Sequence, residues 1–244
     1  MRQSNCIRLM PVSRHAERGN VFMFILLGVV LFAALSFTVA RGFRSDTTSS
    51  MSEREAELAA SEILDYAQRM QRAVSRVLRN GVSENQISFE NSQSPVTYPN
   101  SNCTNDQCLI FHPDGGGMKW QEPPEGASDF SWNITANHKI PGYGGTGHAG
   151  LVLHLPEIDE RLCETLNRRL GHDFSSIPEC STNLPASRFI NGVFNSGAFV
   201  NCDANECREV TSACIYVSAD YTVQGGINLG DSYVFYSGIY VLSD

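Results

Sequence analysis

The sequence predicts an α+β protein: a long N-terminal helix, apolar at first and then amphipathic, packed on a small antiparallel-β-rich, disulfide-bonded head. Three observations predict it. Residues 21–40 run for twenty positions without a charge, bracketed by Arg18 and Arg41. Residues 52–80 then place apolar side chains at helical spacing, and from residue 81 short apolar segments alternate with glycine- and proline-rich turns. Seven of the eight cysteines lie beyond the apolar run. The organisation that follows is a basic leader (1–19), an N-terminal helix (20–80, membrane-spanning over 21–40 and an amphipathic stem over 52–80) and a head (81–244).

Twenty residues at about 1.5 Å of rise each match the roughly 30 Å hydrocarbon core of a bilayer. Ser36 and Thr38 are the only polar side chains in the run, and it lacks the polar stripe of a surface helix, so a membrane partner is expected. Charge is split sharply around it. Residues 1–44 hold six Arg against Glu17, a net of +5, whereas residues 45–244 hold twelve Lys or Arg against twenty-five acids, a net of −13. The arginines ahead of the run favour a cytoplasmic N-terminus and an exported head. The acidic remainder disfavours nucleic acid as a partner, because phosphate backbones are held by clustered cations.

In the stem, Ile63, Ala67, Met70, Val74 and Val77 step by 4, 3, 4 and 3, which makes one apolar seam expected to face the sheet of the head. Glu53, Glu55 and Glu57 near its start and Arg79 near its end suit the helix dipole, and Asn80-Gly81 is a stop. GFRSDTTSS (42–50) is poor in helix formers and predicts an interruption between the two helical parts. In the head, CLIFHP (108–113), FSWNIT (130–135) and LVLHLP (151–156) read as strands, and residues 157–171 read as a short helix closed by Gly171. ACIYVSADYTV and DSYVFYSGIYVL, joined by QGGINLG, read as a hairpin.

A basic leader ending in Gly19, an apolar helix beginning at once after it, and an amphipathic continuation into a β-rich domain together resemble the type IV pilin and pseudopilin superfamily. The resemblance implies that a prepilin peptidase cuts between Gly19 and Asn20 and methylates the new N-terminus. It also implies that the apolar helix packs against other pilin-like subunits in an extracytoplasmic filament, leaving inner-membrane assembly with its head in the periplasm or outside the cell. Asn20 and Phe24 stand where the family usually has Phe or Met and Glu, and a minor or tip subunit can dispense with that glutamate. Two other fates are open: a secretory signal cleaved after Ala40, or a single-span anchor carrying a binding module with no filament role.

Cysteine density beyond the run suits an oxidising compartment. The expected bridges are Cys103–Cys108, Cys163–Cys180 and Cys202–Cys214, the last ahead of Cys202–Cys207, with Cys6 reduced in the leader. Two CxxxxC pairs also make a four-thiolate zinc site conceivable, but disulfides fit an exported protein better, so no metal or cofactor is expected. Asp203, Asn205 and Glu206 offer oxygen ligands for calcium, and a solvated acidic loop accounts for them as well. No HExxH or GxSxG occurs, DGGG reads as a turn rather than a phosphate cradle, and no enzyme is expected. Trp120 and Trp132 are assigned to core packing in preference to an exposed aromatic surface.

Overall fold

The computed structural model describes residues 25–31, 51–139, 149–180, 189, 191–194, 210–218, 222–223, 227–228 and 230–241. The chain divides into two compact units, Met1–Ser49 and Ser50–Asp244. In the first, residues 25–31 are helical, and Ile25, Leu26, Leu27, Val29, Val30 and Leu31 are each at least half exposed. Among the described residues no helix is long and apolar enough to cross a membrane. The remainder of the apolar run lies outside them, as does the GFRSDTTSS interruption.

The second unit is α+β. Helix α1 (Glu53–Arg79) starts at a capping box: the Ser52 hydroxyl accepts from the Glu55 N–H while the Glu55 carboxylate accepts from the Ser52 N–H. It stops at Asn80, where Gly81 takes φ +87°, a conformation open to glycine and strained for other residues. All five residues of the expected seam are buried, and Ala56, Ala59, Ala60, Tyr66 and Ala73 widen it. The seam faces a sheet, as the spacing predicts. Ile63, Met70 and Val74 share one apolar cluster with Leu151, Leu153, Leu155, Phe235 and Ile239. Each large side chain so buried contributes about 1.5–3 kcal/mol.

That sheet is mixed and five-stranded. Its strands are β1 (Asn133–Lys139), β2 (Ala149–Ile158), β3 (Glu179–Cys180), β4 (Ser212–Val217) and β7 (Ser232–Val241), in the order β1-β2-β7-β4-β3. Every pairing is antiparallel except β3 with β4. The expected terminal hairpin is present as the β4–β7 ladder, Ser212↔Ser237 through Val217↔Ser232. Its connection carries a further two-stranded sheet, β5 (Thr222–Val223) with β6 (Ile227–Asn228). The β2–β7 register shifts between Leu155 and Ile158, and Glu157 within that bulge has φ +52°.

Two strand expectations need correction. The FSWNIT strand begins later, at Asn133. CLIFHP is no strand: a 3₁₀ turn (Asp106–Cys108) leads into a further reversal, and only Leu109 makes an isolated bridge, to Ser88. The Leu109 carbonyl accepts from Gly116 N–H, curling the apolar run around the glycines instead of extending it.

The predicted short helix is α2 (Glu160–Arg169), capped by Asp159 and followed by Gly171 at φ +81°. It is fastened to the sheet at two points one turn apart. Cys163 is disulfide-bonded to Cys214 of β4, and buried Asn167 donates to the Cys214 carbonyl (2.9 Å) and accepts from the Cys214 N–H (2.8 Å). Asn167 thereby takes the place of a neighbouring strand at this edge. Asn167→Leu is expected to cost about 3 kcal/mol, since it strands one buried donor and one buried acceptor. Denaturant titration measures this; a loss under about 1 kcal/mol would mean that those backbone groups find other partners. Glu57 of α1 also reaches α2, pairing with Arg168 (2.6 Å) and Arg169 (2.7 Å), and these guanidiniums hold its carboxyl below the usual range. That stabilisation is present above the unfolded carboxyl range and fades as pH falls through the lowered folded value.

Candidate functional site

The C-terminal half of α1 carries Arg69, Arg72, Arg76 and Arg79, spaced 3, 4 and 3 residues apart and so aligned along one face. Beside this face runs the loop Gly115–Lys119. Between them lies an open groove of about 490 Å³, lined by the four arginines, Ala73, Gly116, Gly117, Met118 and Lys119. Five of the twelve basic residues beyond position 44 meet in it, although that region as a whole is strongly acidic.

The glycines let the loop approach so closely. A Cβ on Gly116 would fall 2.4 Å from the Ile110 carbonyl oxygen, and one on Gly117 would fall 2.6 Å from Arg76 Nη1. Gly117 has φ +69° and is exposed, so its bare backbone forms the bed on which the Arg76 guanidinium rests. Arg76 Nη2 donates to the Pro113 carbonyl at 3.1 Å, tying loop to helix. Arg69 is ion-paired to Asp65 (2.9 Å), bonds Gln121, and lies 5.7 Å from the Tyr66 ring centroid, which in turn stacks on Trp132 at 4.6 Å. Among the described residues, the side chains of Arg72, Arg79 and Lys119 have no hydrogen-bond or ion-pair partner, and all three are exposed.

A second, smaller groove of about 280 Å³ adjoins the first along α1 and shares Arg69. Glu62, Asp65 and Glu122 make its charge negative, with Tyr66 and Trp132 in its wall. Trp132 and Trp120 are both buried, in agreement with the core assignment.

The expected bridge Cys103–Cys108 is present, with α-carbons 5.6 Å apart, and it closes the loop leading into the glycine-rich turn. The Cys163–Cys180 assignment is overturned: Cys163 joins Cys214, with α-carbons 5.2 Å apart. The inward face of α2 lies over β4, while Cys180 is placed beyond it, on the edge strand β3. With Cys214 committed to α2, the Cys202–Cys214 assignment fails too. Cys202, Cys207, the Asp203–Glu206 loop, Cys6, Gly19 and Asn20 lie outside the described residues.

Asp106, His112 and Asp114 bring one ligand atom each within 4.8 Å of one another, a grouping that sequence spacing did not single out. His112 Nε2 is 3.7 Å from Asp106, and its Nδ1 already accepts from the Asp114 N–H at 3.3 Å. With that ring nitrogen engaged and both carboxylates in solvent, the group reads as a solvated charge cluster.

Compared with family models, curated proteins and solved structures, the chain shows no match.

Proposed function

We propose that this chain is a pilin-like structural subunit, minor or at the tip, of an extracytoplasmic filament of the type IV pilus or type II secretion kind. The supporting observation is the succession of two unlike segments in one sequence. An uncharged run of membrane length over 21–40 is followed by a capped amphipathic helix whose apolar seam serves as the core of an α+β head. A helix that is apolar on every side is stable in lipid and equally stable among copies of its kind. The partners implied are the membrane, a prepilin peptidase acting between Gly19 and Asn20, and other pilin-like subunits. The bridges Cys103–Cys108 and Cys163–Cys214 accord with a head folded in an oxidising compartment.

The competing reading is a tethered binding module, for which any apolar span suffices. Replacing residues 21–40 by a poly-Leu span separates the two. The filament reading expects the variant to remain membrane-bound and to lose cross-linking to pilin-like subunits. Unimpaired cross-linking would make the segment a tether.

A further inference from the structure

The arginine row on α1 is costly unless something uses it. Like charges at helical i, i+3 and i, i+4 spacing destabilise by about 0.2–0.5 kcal/mol per pair, and this row contains three such pairs. Part of the row has a structural account. Arg76 and Arg79 lie in the last turn, where the helix dipole favours cations, Arg76 also anchors the glycine loop, and Arg69 is paired to Asp65. Arg72 has no such account. Lys119 comes from a different segment and adds to the same positive field without a partner among the described residues.

We infer that the groove formed by Arg69, Arg72, Arg76, Arg79 and Lys119 against the Gly116–Gly117 backbone docks a short acidic polypeptide segment of a partner protein. Charge complementarity sets the sign of the occupant, and guanidinium groups match carboxylates in geometry as well as charge. Length follows from the helix. Ten residues from Arg69 to Arg79 span about 15 Å, the reach of four or five residues of extended chain. Met118 and Ala73 supply an apolar floor against which aliphatic stems can lie. Two features disfavour a nucleic-acid strand. Among the described residues no aromatic side chain lines the groove to stack a base, and a polyanion running past Arg69 meets Glu62, Asp65 and Glu122. The groove is closed to long anions at one end by its own neighbours. The inference is independent of cleavage after Gly19, so it can fail or succeed separately from the filament reading.

The test is fluorescence anisotropy with the full chain in detergent, using labelled hexaglutamate, a labelled hexaserine peptide and a labelled twelve-nucleotide oligo-dT. Hexaglutamate is expected to bind with a Kd below about 1 mM, to weaken as salt is raised, and to outcompete both other probes. The double variant Arg72→Glu/Lys119→Glu, with both positions exposed, is expected to weaken it at least tenfold. Arg54→Glu, an exposed α1 charge outside the groove, should change it less than twofold, which excludes an effect of bulk charge. Gly117→Ala should weaken it severalfold by displacing Arg76, giving a second readout should the double variant misfold. Absence of hexaglutamate binding, tighter binding of the oligonucleotide, or equal losses from the groove and Arg54 variants would each overturn the inference.

Discussion

Met70→Asp is expected to unfold the head, or to leave it with only a small fraction of its stability. Met70 is fully buried on α1 and belongs to the cluster that joins this helix to the sheet. Removing its thioether packing costs about 2–5 kcal/mol. Among the described residues a carboxyl put in its place finds no cation on the buried face of α1, because the arginines of the helix line the groove on its other side. An unpaired polar group buried in this way adds several kcal/mol. The sum is comparable to the about 5–15 kcal/mol that holds an ordinary domain together. Burial raises the pKa of the new carboxyl, so the folded state binds the proton more tightly than the unfolded one. The penalty is therefore greatest at neutral pH and eases as pH falls through the raised value. Met70→Leu, which preserves volume and polarity, should cost less than about 1.5 kcal/mol. Thermal denaturation of the full chain in detergent measures both variants. A Met70→Asp melting temperature equal to that of the parent would place this face of α1 in solvent.

Loss of the Cys163–Cys214 bridge, by replacing both cysteines with alanine, is expected to cost about 4 kcal/mol on the chain-entropy estimate for its 51-residue separation. The same treatment of Cys103–Cys108, separated by five residues, should cost about 2 kcal/mol. The contrast between the two bridges is the informative quantity, because each variant removes one buried or partly buried sulfur pair. Peptide mapping without reduction provides the direct check. Cys163 should appear linked to a Cys214 peptide; a link from Cys163 to Cys180 would contradict the packing of α2 over β4.

The stem and α2 were legible because their signals are local: for the stem a helical period, acids at the start and Asn80-Gly81 at the end, and for α2 the closing Gly171. Strands β2, β4 and β7 were legible as alternating apolar segments, and the last two as partners. Residues 108–113 misled because an apolar run looks alike whether it extends or turns. Here the short Cys103–Cys108 loop and the close packing of Gly115 and Gly116 on the carbonyls of Leu109 and Ile110 make it turn. The Cys163 partner was illegible for a different reason. Seventeen residues to Cys180 form the shorter loop, but lengthening a loop costs only about 0.6 kcal/mol per doubling. Helix docking therefore decides, and docking depends on strand order. The basic groove was hidden in the charge total. Four arginines could be counted on the stem, but Lys119 and the glycine bed come from a turn some forty residues later in the chain.

The filament reading rests on processing at the junction of leader and apolar run, and mass spectrometry of the N-terminus of membrane-extracted protein tests it most directly. The reading expects a mature chain beginning at a methylated Asn20, and a Gly19→Leu variant that retains the basic leader. A wild-type chain beginning at Met1, or at Arg41 after cleavage behind Ala40, would contradict it.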